Sequence, residues 1–214
     1  MALLNVLVQP EIRDTATWQQ ADKMARHLLE HLETMAVVEG ISAANRPGMS
    51  SFGIQTVIQP FLDELGFRSE ARGLFADSVP RLRPDYFLPL PGDGLILEVE
   101  RGKTIDNNMD LLDFWKTHIC VHANFLFLLV PLSYQSNETM NSKSLFDTVY
   151  RRLATFFTPP TTRTSRVCGF LATDETISTV RPGLNFRLPN TKVATPSSGS
   201  RSTCGILSIR TSPS

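Results

Sequence analysis

Residues 124–132 read Asn-Phe-Leu-Phe-Leu-Leu-Val-Pro-Leu. A nearly continuous apolar run has no polar face to offer water, so as a strand it must be covered on both sides. Its length argues against a membrane span, because the unbroken part, 125–131, falls far short of the roughly 20 residues that a spanning helix needs. A strand of this kind implies a sheet with helices on both faces. The rest of the chain is best read around it.

Upstream lies Leu95-Ile96-Leu97-Glu98-Val99-Glu100, preceded by Pro91-Gly92-Asp93-Gly94. The Pro/Gly/Asp cluster is a turn signal, and it pairs this strand with a candidate strand over 82–90 as a hairpin. Between Glu100 and the apolar strand, residues 106–121 carry helical spacing with Asp106 as the natural cap. Strand, helix and strand in that order form a right-handed crossover. Earlier, residues 15–39 read as a helix that Gly40 stops. Residues 51–65 read as a second helix that Pro60 kinks or breaks. Residues 67–75 read as a strand and 144–157 as an amphipathic helix. The expected fold is α/β, a mixed sheet flanked by helices. Its organisation is an N-terminal helical segment (1–49), an α/β core (50–158) and an irregular C-terminal tail (159–214).

Composition sets the tail apart. Of its last 55 residues, 24 are Ser, Thr or Pro, and apolar periodicity fades, leaving two strand-like islands near 169–172 and 205–209. Residues 160–214 hold seven Lys/Arg against two Asp/Glu, which leaves fourteen against nineteen for the rest. The core therefore lacks the overall basic character of a protein that coats nucleic acid. Three widely spaced cysteines make neither a disulfide framework nor a zinc ribbon, and they fit a reducing cytoplasm. The first residues lack a basic stretch before the apolar ones, so no signal peptide is expected.

The chemistry gathers between Pro84 and Lys116. On a strand, side chains alternate faces, so Glu98 and Glu100 point the same way. Two carboxylates on one face of a covered strand repel each other and are costly without compensation. A hard divalent cation resolves this, and magnesium characteristically takes one or two carboxylates and keeps several waters. Folding back at the Pro91–Gly94 turn brings Asp85 level with the Glu98 region. Arg101 and Lys103 leave the strand where a phosphate would lie.

Other candidates have plainer readings. On the 106–121 helix, Asp106, Asp110, Asp113 and Thr117 share one face, expected to meet solvent. Met109, Leu112, Trp115 and Ile119 are expected to face the core, with Lys116 at the border. His118 and His122 have zinc-pair spacing but no third ligand in view. Glu64 is expected at the surface.

Pro84-Asp85 followed by Glu98-Val99-Glu100, in the order helix, strand, hairpin, helix, strand, resembles the PD-(D/E)xK nuclease superfamily, whose fold is that of restriction endonucleases. The stretches Glu-x-Glu-Arg-Gly-Lys and Asn-Asn-Met-Asp-Leu-Leu-Asp-Phe-Trp-Lys add to the likeness, which covers roughly residues 50–157. Glu100 stands where the pattern usually has lysine, similar to the Glu-x-Glu variant of some type II restriction enzymes. The resemblance implies a restriction-endonuclease-like mixed sheet and Mg2+-dependent cleavage of DNA, with Mn2+ as a substitute. Asp85 and Glu98 would bind the metal, with the Val99 carbonyl as a further ligand. Glu100 would act as general base or as a further metal ligand, and Lys103, or else Lys116, would supply the missing positive charge. Arg101, Lys103 and Lys116 would contact DNA, and Glu70 would be an accessory acid. Many nucleases of this fold work as homodimers. Two alternatives stand beside this reading: a catalytically inactive relative that serves as a nucleic-acid-binding or scaffold module, and an interaction protein whose acids form a solvated face.

Overall fold

Strand Asp93–Val99 (β4) settles which side of the sheet each residue serves. Leu95, Leu97 and Val99 belong to one apolar cluster and Ile96 to another. The same alternation runs through Tyr86–Leu90 (β3) and Phe125–Pro131 (β5), where Tyr86, Leu88, Phe125, Phe127 and Leu129 face the first cluster. Phe87, Leu126, Leu128 and Val130 face the second. Two cores on opposite sides of one sheet are what the two-fold strand period produces when both faces are covered.

The computed structural model describes residues 2–45, 49–69, 75, 82–134, 143–157, 167–173 and 205–209. The chain begins with a strand, Ala2–Val8 (β1), followed by helices Ala16–Leu32 (α1), Met35–Ala44 (α2) and Phe52–Glu64 (α3). A short strand Arg68–Ser69 (β2) precedes β3 and β4. Helix Met109–Ile119 (α4) leads to β5, and a small ribbon of Ser133–Tyr134 (β6) and Lys143–Ser144 (β7) comes next. Helix Leu145–Ala154 (α5) follows, then strands Val167–Thr173 (β8) and Gly205–Ile209 (β9).

Among the described residues, the sheet has seven strands in the order β2-β3-β4-β5-β8-β1-β9. Strands β4, β5 and β8 run parallel to one another and the remaining pairings are antiparallel, so the sheet is mixed. Helices α1, α2 and α3 supply the first core, and α4 and α5 the second. Among the described residues, no helix is long and apolar enough to cross a membrane.

Several elements differ from the expectations. The first helical stretch is two helices, broken at Glu33–Thr34, and the second runs through Gly40 to Ala44. Helix α3 continues through Pro60 as one element. The first strand of the hairpin is shorter than 82–90. Helix α4 starts at Met109, with Asn108 as its cap residue in the left-handed region (φ 54°), where asparagine is tolerated better than most residues. Within the C-terminal tail, β8 and β9 pair into the sheet beside β1. Glu70 and most of the 67–75 segment lie outside the described residues.

The largest correction concerns α4. Its Asp110, Asp113 and Thr117 are buried, and Leu112, Trp115 and Ile119 are 47%, 56% and 52% exposed. The helical spacing is as expected, but the faces are exchanged. Only Phe114 of this helix, which stacks on Phe156 at 4.6 Å, joins the apolar core as a buried residue.

Candidate acidic site at the end of the central strands

The hairpin register fixes the first pair. Tyr86 is opposite Leu97, so the next step along the ladder sets Asp85 opposite Glu98. Two reciprocal hydrogen bonds fasten them. The Asp85 backbone N–H donates to Glu98 Oε2 at 3.2 Å, and the Val99 backbone N–H donates to Asp85 Oδ2 at 2.8 Å. The Glu100 N–H donates to the Leu129 carbonyl at 2.9 Å, carrying the parallel ladder one residue past β4. Glu98 and Glu100 thus leave the strand on the side facing α4, at its C-terminal end.

The exchanged faces of α4 now have a cause. The helix lies over this end of the sheet, and Asp113 and Lys116 face the strand carboxylates. Lys116 Nζ is 3.0 Å from Glu98 Oε1 and 2.9 Å from Asp113 Oδ1. Glu98 is 2% exposed and Asp113 fully buried, so the ammonium between them compensates charge that water cannot reach. The contact with Glu98 is an aligned hydrogen bond. The contact with Asp113 is a close ion pair, and Glu100 also approaches the Asp113 carboxylate.

Thr104, buried in the turn between β4 and α4, directs its hydroxyl to the Arg101 carbonyl and reaches Glu100 Oε2 at 3.5 Å. At the start of α4, Arg152 of α5 lies 3.3 Å from the buried Asp110 and donates to Asn108 Oδ1 at 2.6 Å and to the Ile105 carbonyl at 3.3 Å. This clamp joins the two helices.

Proton affinities follow the burial. Glu98 is raised well above an ordinary carboxylate, first by burial, then by the Asp113 charge, with Lys116 opposing and Asp85 adding. Glu100 is pushed up to about 8 by burial and by the charges of Asp113 and Asp85. Asp113 is raised by burial against the pull of Lys116. Burial draws Lys116 down, but Glu98 and Asp113 more than offset it and hold the ammonium charged.

The structure therefore brings together Asp85, Glu98, Glu100 and Lys116, and it adds Asp113, for which the helical spacing predicts a solvent-facing position. Lys103 is exposed in the turn that follows, and the lysine in contact with Glu98 and Asp113 is Lys116. Arg101 is half-buried and tied to the Asn45 side chain and the Met49 carbonyl. His118 stacks on Trp115 at 4.8 Å and His122 against Phe75 at 5.6 Å, so the two histidines serve separate contacts. Glu64 is exposed and acts on His31.

The sequence held one signal for Asp113. An Asp at i with a Lys at i+3 on a helix pairs naturally, and that pair sits on the edge of the polar stripe.

Among the described residues, no three His, Cys, Asp or Glu side chains form a ready group for a metal ion. A magnesium site does not need three, because one or two carboxylates and several waters are its usual shell. The oxygen-only pair Asp85 and Glu98, level across a hairpin, suits that requirement. Comparison with known proteins finds no matching family, no matching curated protein and no matching solved structure.

Proposed function

We propose that this cluster is the active site of a magnesium-dependent endonuclease that hydrolyses phosphodiester bonds in DNA, built on a restriction-endonuclease-like arrangement of the mixed sheet. One observation carries the reading. Asp85 is level with Glu98 across the hairpin, and a lysine ammonium from α4 sits 3.0 Å from Glu98, beside the acid motif whose own lysine position holds Glu100. Asp85 and Glu98 would hold the cation, whose chemistry is to polarise the phosphate and acidify water. Glu100, losing its proton near pH 8, takes the proton of the attacking water. Lys116 stabilises charge developing on the phosphoryl oxygens, a form of electrostatic assistance worth on the order of a hundredfold in rate per donor. Arg101 and the exposed Lys103 leave the same strand end, where they meet the flanking phosphates. DNA as the substrate fits a cytoplasmic enzyme.

A second reading has its own observation. Lys116 engages Glu98 and Asp113 together, and Asp85 Oδ2 is occupied by the Val99 N–H, so the cluster is internally paired. On that reading the chain binds nucleic acid without cutting it. Supercoiled plasmid with magnesium or manganese, incubated with the wild type, Glu98→Ala and Lys116→Met, separates the two. Conversion to nicked or linear DNA by the wild type, reduced about a hundredfold or more in both variants, supports the enzyme. A retarded but uncut plasmid supports the binding module. Neither cutting nor retardation refutes both.

A further inference from the structure

At the other end of β4 lies a separate cavity of about 330 Å³, whose lining includes Phe75, Phe87, Asp93, Val121, His122 and Asn124. We infer that this cavity binds a small organic cation, an alkylammonium group held against the aromatic wall and the Asp93 carboxylate.

The aromatic walls come first. Phe75 stacks nearly parallel to His122, with centroids 5.6 Å apart and planes inclined by 7°, and meets Phe87 edge-on at 4.8 Å. Ring faces attract a cation through their negative quadrupole, most strongly where water is partly excluded.

The carboxylate is held still. Asp93 Oδ1 accepts from the Gly94 N–H at 2.7 Å, the Asn124 N–H at 2.9 Å and the Asn124 side-chain N–H at 3.0 Å. Among the described residues, its second oxygen makes no hydrogen bond and no lysine or arginine lines the cavity to compensate it. An acceptor fixed on one oxygen and unused on the other is arranged to receive a donor or a positive charge.

One further feature favours the same sign of ligand. Val121 and His122 follow directly on the end of α4, and a helix C-terminus favours positive charge. The base of the cavity is also closely packed. A Cβ on Gly94 would lie 2.3 Å from the His122 carbonyl oxygen and 2.4 Å from the Phe87 ring, so the start of β4 is seated directly on the His122 backbone.

The site is independent of the acidic cluster, which occupies the C-terminal end of β4, and its test is independent of nuclease activity. Choline chloride is titrated into the whole chain at pH 8 by calorimetry, with potassium chloride as the ionic-strength control. The neutral isostere 3,3-dimethylbutan-1-ol is titrated in parallel. Expected is saturable choline binding with a dissociation constant of about 1 mM or tighter, and binding of the isostere weaker by about tenfold. Asp93→Asn keeps an oxygen for the three N–H donors and removes the charge, so the fold is preserved and choline affinity falls about tenfold. Phe75→Leu does the same by removing a ring. No saturable choline binding, equal binding of choline and its isostere, or undiminished binding by Asp93→Asn with an unchanged circular dichroism spectrum would each overturn the proposal.

Discussion

Replacing Glu100 by glutamine is expected to stabilise the protein, and to do so more as the pH rises. Glu100 is drawn from an ordinary 4.5 to about 8, chiefly by burial and by the Asp113 charge. An acid whose pKa is raised on folding binds its proton more tightly in the folded state. Stability therefore falls as pH rises from about 4.5 to about 8 and is level beyond. Each pH unit in that window is worth about 1.4 kcal/mol, so at pH 7 the folded protein forgoes about 3 kcal/mol at most. Glu100 retains partial contact with solvent, which brings the expected effect to about 2 kcal/mol. Glutamine carries no proton to lose, so the variant escapes this cost while keeping the shape and one acceptor oxygen. Urea unfolding followed by circular dichroism at pH 5, 7 and 8.5 measures it. The stability difference should be small at pH 5 and reach about 2 kcal/mol at pH 7, with unchanged denaturant slope. A difference that does not vary with pH, or a variant less stable than the wild type at pH 8.5, would refute the reasoning. A site residue whose removal stabilises the fold is what a functional constraint predicts.

Lys116→Met removes the ammonium between Glu98 and Asp113 and leaves two buried carboxylates, at an expected cost of about 3 kcal/mol at pH 8. Both acids already have raised pKa values, so they take up protons on acidification and the deficit shrinks by pH 5; a loss that is equal at both pH values counts against the ion-pair account. Trp115→Ser, on the exposed face of α4, should change stability by no more than about 0.5 kcal/mol, whereas Phe114→Ala on the buried face should cost about 3 kcal/mol or more, both read from unfolding curves. Comparable costs at the two positions would restore the opposite orientation of the helix.

The central architecture was legible because its signals are local. The Pro91–Gly94 turn, the apolar 125–131 strand and the helix between them each follow from a short stretch, and strand alternation alone sets Glu98 and Glu100 on one face. What escaped depends on contacts distant in sequence. Strand β1 has no polar alternation, and it becomes a strand through partners at 167–173 and 205–209. Those two segments sit in Ser/Thr/Pro-rich surroundings whose composition outweighed them. The break between α1 and α2 carries no glycine or proline. Thr34 stands at the cap position with an extended backbone, and its hydroxyl donates to the His31 carbonyl, which closes the first helix.

Helix α4 shows why a correct period yields the wrong face. Its polar stripe and its apolar stripe have similar strength in the sequence, and hydrophobic burial alone would turn Leu112, Trp115 and Ile119 inward. What turns them out is the strand beneath. Glu98 and Glu100 present two carboxylates to the layer that α4 must cover, and an apolar face laid over them would strand both without compensation. Presenting Lys116 to Glu98 is cheaper, and the helical period then brings Asp113 inward with it and carries Trp115 outward. The acid pair that marks the candidate site in the sequence is thus also the cause of the inverted helix. Reading Glu98 and Glu100 as a demand on the covering layer, rather than only as ligands, makes the orientation of α4 follow from the sequence.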